Sequence, residues 1–148
     1  MTVSVPFFAK YFEFAKIIIS ALNANDTTAK AEFYDVNEND WYYMYVSSAY
    51  KLGLITGYPD GSFHPSDNIT RADICTIVNR ALKLVPDGSV STFTDDYAIP
   101  TYARDAVYAL AAKKIINGNP DGSFMPTAFA TRAQTAKIVY AGLFQNKE

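Results

Sequence analysis

Two arginines stand at the same place in two nearly identical motifs. Arg71 is the middle residue of Thr-Arg-Ala at 70–72, and Arg132 is the middle residue of Thr-Arg-Ala at 131–133. Threonine followed after three residues by an acid or amide is typical of a capped helix start. A guanidinium beside the free amides of a first turn suits a carboxylate. The motifs therefore predict either two anion-binding sites or two solvated salt bridges beside a cap, worth about 0–1 kcal/mol each.

A Pro-Asp-Gly turn precedes each arginine motif, at 59–61 and at 120–122. Proline presets φ, aspartate bonds to the backbone, and glycine takes a positive φ. Asp60 and Asp121 are therefore predicted to form the turns, with ligand contact as the alternative. We expect the phenylalanine two residues after each turn to hold the loop to the core.

Catalytic and metal-binding patterns are absent from the sequence. His64 is the single histidine, and the second motif has Met125 in its place, so a histidine site would exist in one copy only. The adjacent acids at 95–96 are too close together to flank a substrate bond. Residues 35–40 begin like a calcium loop but lack its sixth-position glycine. We therefore expect no enzyme activity, no cofactor and no metal.

The arginine motifs belong to a longer repeat. Residues 58–63 recur as 119–124 at an offset of 61, and the helix pattern behind them recurs as well. A third copy of that helix pattern lies near the N-terminus, at an offset of 60. Repetition at such a period is typical of modular architectures. We divide the chain into one half-repeat helix and two whole repeats, which cover residues 1–24, 33–84 and 93–145.

The hydrophobic periodicity predicts an all-α fold with long ordered loops. Apolar residues at spacings of three and four indicate a helix over roughly 6–23, with Pro6 in its first turn. Similar helices are expected over 70–84 and 131–145. These three central helices would form a bundle with pseudo-threefold symmetry.

Each whole repeat adds a front helix and a loop to this bundle. In the first repeat we expect a cap at Asn39 or Asp40 and an end at Gly53. The predicted inner face of this helix consists of Trp41, Tyr45, Ala49 and Leu52. The corresponding helix of the second repeat would span 102–114.

Composition excludes several classes of partner. The chain has 148 residues, 49% of them hydrophobic, which suffices for one core. A net charge of −2 lacks the basic footprint of a nucleic-acid-binding protein. No uncharged apolar stretch reaches the roughly 20 residues of a membrane span. Residues 3–22 are interrupted by charges and are interpreted as an amphipathic helix, so any signal peptide would lie outside this chain.

Cys75, aligned with Ala15 and Ala136, is expected to be a small buried residue.

The ordered motifs resemble those of the S-layer homology domain family. Its pattern combines an aromatic-x-Asp-Val opening, a tryptophan-bearing helix, a Gly-Ile-Ile-x-Gly-x-Pro-Asp-Gly-x-Phe-x-Pro loop and an Ile-Thr-Arg-Ala-Glu helix start. The first repeat matches at residues 33–36, 41, 53–65 and 69–73, and the second at 93–95, 102, 114–126 and 130–134. Tyr102 takes the place of the tryptophan in the second repeat.

The resemblance implies a fold and a function. Three such modules would pack with pseudo-threefold symmetry and anchor bacterial surface proteins to secondary cell-wall polysaccharides, which often carry pyruvate ketals. The extracellular cell wall would then be the location of this chain. Ligand contacts would come mainly from Arg71 and Arg132. Trp41, Tyr102, Gly57 and Gly118 would line grooves between modules.

The first copy departs from the family pattern. Lys-Tyr-Phe-Glu at 10–13 replaces Thr-Arg-Ala-Glu, and the front half of this copy is absent, so at most two grooves are expected to be intact. An alternative function follows from these departures, namely a structural or self-assembly module that contacts proteins without binding glycan. The uncovered side of a truncated bundle also predicts a homodimer.

Overall fold

The computed structural model describes residues 7–145 as five α-helices joined by ordered loops. The helices are α1 (Tyr11–Ala21), α2 (Tyr43–Lys51), α3 (Arg71–Leu82), α4 (Arg104–Ala112) and α5 (Arg132–Tyr140). Two 3₁₀ turns, Asp96–Ala98 and Thr101–Ala103, precede α4, and a π-helical turn, Ala141–Gln145, continues α5. The predicted all-α class is confirmed. In the described part of the chain no helix is long and apolar enough to cross a membrane.

A closed ring of backbone hydrogen bonds joins the three copies. The Ala9 amide donates to the Ala130 carbonyl at 2.9 Å, Ala130 donates to Ile69 at 3.1 Å, and Ile69 donates to Ala9 at 2.9 Å. All three residues are fully buried. Since they occupy equivalent positions two residues before α1, α3 and α5, the ring lies at the centre of a pseudo-threefold arrangement.

A second set of hydrogen bonds fixes the start of each central helix. The first amide of a helix has no partner within that helix. Here each such amide donates to a carbonyl of a neighbouring copy, at 3.0 to 3.2 Å, and the pairs are Tyr11 to Asp67, Arg71 to Ala128 and Arg132 to Phe7. The side chains at 11, 71 and 132 are therefore held at boundaries between copies.

The start of α1 differs from the prediction. The helix begins at Tyr11 and not near residue 6, because the segment before it is extended and pairs with the other copies. Phe8 bridges to Thr131, and Lys10 bridges to Asn68. Pro6, predicted in the first turn, lies outside the described residues.

The start of α2 also differs from the prediction. The helix begins at Tyr43, and neither Asn39 nor Asp40 caps it. The Asp40 carboxylate instead accepts a hydrogen bond from the Asn37 amide at 2.8 Å, within the preceding turn. The predicted end at Gly53 is confirmed, since this glycine follows the helix with a φ of +74°.

The inner face of α2 is only partly as predicted. Ala49 is fully buried as expected, and Val46 shares its face. Trp41 and Leu52 are 58% and 53% exposed. Trp41 lies in the turn before the helix, so helical periodicity does not apply to it.

The two Pro-Asp-Gly turns form as predicted. The Asp60 carboxylate accepts hydrogen bonds from the Ser62 amide and hydroxyl at 2.9 and 2.6 Å. Asp121 does the same with Ser123 at 3.0 and 2.7 Å. These bonds lower the pKa of both carboxyl groups. The glycines that follow have φ values of +87° and +85°.

The same geometry ties each of the two loops to the start of its repeat. Asp35 accepts hydrogen bonds from the amides of Phe63 and His64 at 2.9 and 2.8 Å. Asp95 binds the equivalent two amides of the second loop, both at 2.8 Å. The buried ring of Phe63 stacks on Phe33 at a centroid distance of 5.4 Å, which confirms its predicted anchoring role. The acid at 35 that begins the calcium-like stretch therefore has a structural function.

The outer face of α5 is open, unlike that of its counterparts. The helix α2 packs on α1, and α4 packs on α3. Ala15 and Cys75 are consequently buried, at 2% and 0% exposure. Their equivalent Ala136 is exposed, as is Tyr140 one turn later. The expectation of a small buried residue holds for Cys75 but not for the aligned position in α5, where no described helix provides a cover.

The close packing of Gly57 generates a stability prediction. Gly57 has a φ of +71°, and a Cβ there would lie 2.3 Å from Phe33 Cε1 and 2.8 Å from the Ser62 carbonyl. Gly53 has a similar φ of +74° but nothing within 4 Å of its Cβ direction. Gly53→Ala should lower the free energy of unfolding by about 1–2 kcal/mol, because alanine is strained in the left-handed conformation. Gly57→Ala should cost roughly a further 1–3 kcal/mol for the overlap.

Urea unfolding followed by circular dichroism measures both free energies of unfolding. Equal losses in the two variants would contradict the packing role assigned to Gly57.

Candidate ligand-binding clefts

A cleft of about 360 Å³ lies between the half-repeat and the two whole repeats. Tyr11 of α1, the loop of the first whole repeat, one face of α3 and Tyr102 of the second repeat form its walls. We name it the Tyr11 cleft, because this residue occupies the position of Arg71 and Arg132 in the other copies.

Asp73 organises the polar side of the Tyr11 cleft. The Tyr11 hydroxyl donates to one oxygen of this carboxylate, and the Tyr102 hydroxyl donates to the other. Burial, together with these bonds to an anion, raises the pKa of both phenols. The spacing of Thr70 and Asp73 predicts a capping box between them. The Asp73 amide does bind the Thr70 hydroxyl at 3.2 Å, but its carboxylate binds the tyrosines instead.

Arg80 supplies the cation of the Tyr11 cleft. One terminal nitrogen donates to the Leu54 carbonyl at 3.0 Å, and the side chain lines the cleft. It forms no ion pair with any residue between 7 and 145. Sequence reasoning missed this residue because its counterparts, Ser20 and Ala141, are not basic.

The loop of the second repeat holds Arg71 at the boundary between copies. The Arg71 Nε donates to the Phe124 carbonyl at 2.9 Å, and its guanidinium carbon lies 4.8 Å from the centre of that phenyl ring. The side chain is half-buried, and desolvation lowers the pKa of the guanidinium, which still remains charged. Its terminal nitrogens have no hydrogen-bond partner among the described residues. A planar pair of donors is therefore available to a ligand.

Arg132 differs from Arg71 because an acid neutralises it. Its Nε lies 2.6 Å from Glu13 Oε2, with side-chain exposures of 58% and 17%. Its guanidinium carbon lies 5.7 Å from the ring centre of Phe7. The two arginines that the sequence treats as equivalent thus have different electrostatic environments.

The predicted groove glycines have a packing explanation. A Cβ at Gly118 would lie 2.8 Å from Phe93 Cε1 and 2.9 Å from the Ser123 carbonyl, which repeats the constraint at Gly57. Gly57 also borders the Tyr11 cleft. Ligand contact by either glycine remains a prediction.

The predicted aromatic groove residues are both accessible. Trp41 packs edge-to-face on Phe12, with ring centres 5.5 Å apart, and Lys16 Nζ lies 5.5 Å from the indole centre. Tyr102, its equivalent in the second repeat, is 62% exposed and borders the Tyr11 cleft. Each ring has an open surface that could receive the apolar face of a sugar.

The three boundaries between copies are formed by different sets of structural elements. The Tyr11 cleft has a loop, a central helix and a front aromatic residue, but no arginine at the helix start. Among residues 7–145, the Arg71 boundary lacks the counterpart of Tyr102, and the Arg132 boundary lacks a Pro-Asp-Gly loop. In the pseudo-threefold arrangement, the front half of a first copy would contribute one element to each of these two boundaries.

Comparison with known proteins gives a consistent result. The sequence model of the S-layer homology domain matches residues 32–75 and 92–136, which together are more than half of the chain. An amylopullulanase of Thermoanaerobacterium thermosulfurigenes is 39% identical over 86% of this chain and 7% of its own length. A cellulosome-anchoring protein of Acetivibrio thermocellus is 28% identical over 88% of this chain and 30% of its own length. A surface-layer 125 kDa protein of Lysinibacillus sphaericus is 26% identical over 90% of this chain and 12% of its own length.

The chain thus spans less than a third of each of these three relatives. The matched ranges contain both Pro-Asp-Gly loops, both aspartates that hold them and both arginines at the helix starts. Together with the pseudo-threefold arrangement of helices, these matches show that the chain belongs to the S-layer homology domain family.

Proposed function

We propose that this chain is a non-catalytic module that anchors a larger protein to the bacterial cell surface by binding pyruvylated cell-wall polysaccharide. Family membership and the relatives named as cellulosome-anchoring and surface-layer proteins support the anchoring role. The extracellular cell wall is the corresponding location. Enzyme names among the relatives do not argue for catalysis, since the chain aligns with 7% of the amylopullulanase.

The available guanidinium of Arg71 is the observation that carries the proposal of an acidic glycan. The Phe124 carbonyl binds Arg71 Nε, and the Phe124 ring packs against the Arg71 guanidinium. Because the guanidinium is already held in place, it loses little conformational freedom when a ligand binds. A pyruvate ketal presents a carboxylate that matches two parallel N–H donors. Arg132 is a second proposed ligand contact, open to a carboxylate only when its ion pair with Glu13 is broken.

Neutral parts of the glycan would contact the aromatic residues. Stacking of a sugar on Trp41 or Tyr102 buries the apolar face of the sugar without requiring charge. Asp60 and Asp121 are further proposed ligand contacts. The Oδ1 atom of each already accepts a hydrogen bond, from Ser62 and Ser123 respectively, so only part of each carboxylate is available to a ligand.

The open face of α5 favours a second candidate function, which is self-association. In α1 and α3 the same face is covered by a front helix, whereas Ala136 and Tyr140 are exposed in α5. Two copies that brought these faces together would cover them in an isologous dimer. Such a module would mediate protein contacts in a surface layer without binding glycan.

Removal of both arginines at the helix starts tests the glycan proposal. Arg71→Ala with Arg132→Ala should lower affinity for pyruvylated polysaccharide about tenfold to hundredfold, because a hydrogen bond to a charged group contributes about 1.5–3 kcal/mol. Titration calorimetry measures the affinity, with the same polymer stripped of ketals beside it. A matched control, Lys113→Ala with Lys137→Ala, removes two exposed charges elsewhere and should bind normally.

Affinity that survives the arginine substitutions, or equal binding of the stripped polymer, would contradict the role assigned to the carboxylate and its arginines.

Self-association has a separate test in sedimentation velocity. The wild-type protein should show a mass that rises with concentration, and Ala136→Glu should remain monomeric because it places a charge at the centre of the open face. Thr27→Glu adds the same charge in the exposed loop between α1 and α2 and should associate like the wild type. A monomeric wild-type protein at high concentration would exclude this second function.

A further inference from the structure

In two of the three copies, the residue two positions after the helix start meets the side chain of a different copy. Arg132 pairs with Glu13, and Tyr11 donates to Asp73. Glu13, Asp73 and Gln134 are equivalent positions at offsets of 60 and 61. In both observed pairs, the residue at the first helical position is matched to an acid at the third position of the next helix.

The pseudo-threefold relation that takes Arg132 to Arg71 also takes Glu13 to Gln134. This copy has an amide where the other two have acids. Gln134 accepts a hydrogen bond from the Thr131 amide at 3.0 Å, and its own amide binds the Thr131 hydroxyl at 3.1 Å. Its side chain therefore closes a capping box and brings no charge to Arg71.

Asp95 is the remaining acid that acts on Arg71. Both of its oxygens accept backbone amide hydrogens, from Phe124 and Met125, each at 2.8 Å. The negative charge of Asp95 favours the protonated form of the Arg71 guanidinium, but the two groups form no ion pair. The fork of Arg71 therefore has no carboxylate bound within the described residues.

We propose that Gln134 is a specificity-determining residue that makes the boundary at Arg71 the anion-binding site of this chain, while Glu13 withdraws Arg132 from that role. The inference rests on the proposed function and sharpens it. An acid at the third helical position occupies the arginine of the preceding copy and repels an incoming carboxylate. An amide at that position leaves the arginine to the ligand.

The chemistry expected of the three boundaries is accordingly unequal. The Arg71 boundary accepts a carboxylate such as that of a pyruvate ketal. The Arg132 boundary binds an anion only after the Glu13 ion pair opens. At the Tyr11 cleft, the helix-start hydroxyl already donates to Asp73, so that position offers no carboxylate fork.

Exchange of acid and amide at the two positions tests this inference. The probe is a hexopyranoside with a 4,6-pyruvate ketal, and its methyl ester serves as the uncharged form. Nitrogen-15 NMR follows the Nε–H signals of Arg71 and Arg132 during each titration. In the wild-type protein the ketal should shift and saturate the Arg71 signal at concentrations that leave Arg132 unchanged, and the ester should have little effect.

Gln134→Glu should weaken the response of Arg71 about twofold to fivefold, because the ligand must then displace an exposed ion pair between the introduced carboxylate and the arginine. Glutamate preserves the capping box, and thermal unfolding checks that the fold is retained. Ala133→Glu adds the same charge at the neighbouring exposed residue and separates contact from net charge. Glu13→Gln should produce a response of Arg132 that the wild type lacks.

The outcomes separate the two proposals. Equal responses of Arg71 and Arg132 in the wild type, an unchanged Arg71 response in Gln134→Glu, or an equally large loss in Ala133→Glu would overturn the role of Gln134 alone. A wild-type protein in which neither arginine responds to the ketal would overturn the proposed function as well.

Discussion

The closed ring of backbone hydrogen bonds among Ala9, Ile69 and Ala130 is the constraint on which the rest of the structure depends. These groups are fully buried, and an unpaired buried amide or carbonyl costs about 1–3 kcal/mol, so each copy needs the other two. The ring also sets the geometry of function. It brings three helix N-termini together, and the residue that begins each helix is placed at a boundary between copies.

The symmetry of the backbone contrasts with the asymmetry of the side chains. The same position holds Tyr11, Arg71 and Arg132. Tyr11 donates to Asp73, Arg132 pairs with Glu13, and Arg71 forms no ion pair within the described residues. Three similar boundaries therefore differ in charge without any change in fold. On the role proposed for Gln134, single substitutions at the third helical position would redistribute anion affinity within one backbone arrangement.

The local features of this fold could be predicted from the sequence. The Pro-Asp-Gly turns depend on neighbouring residues, and the burial of Phe63 follows from its place behind the turn. The starts of α3 and α5 are marked by threonine caps. The N-terminal segment could not be assigned in this way, because its apolar residues fit a helix, while the extended conformation is imposed by partners about 60 and 120 residues away.

The site residues likewise divide into those that local motifs predict and those that depend on contacts between copies. Arg71 and Arg132 could be selected from their motif, but their different states depend on an acid from another copy. Arg80 has no basic counterpart in the other copies, and the position of Asp73 three residues after Thr70 is typical of a cap, so local sequence marks neither as a cleft residue. Local sequence also does not distinguish the turn that holds Trp41 from the first turn of α2, which is why the pattern places Trp41 on a helix face. Long-range pairing thus determines what the local motifs leave open.

A crystal structure of the protein with a pyruvylated cell-wall disaccharide tests the central claim most directly. The account predicts the ketal carboxylate on the two terminal nitrogens of Arg71, with the Arg132–Glu13 pair intact in the same molecule. A carboxylate bound in the Tyr11 cleft or at another surface, with Arg71 not involved, would contradict it.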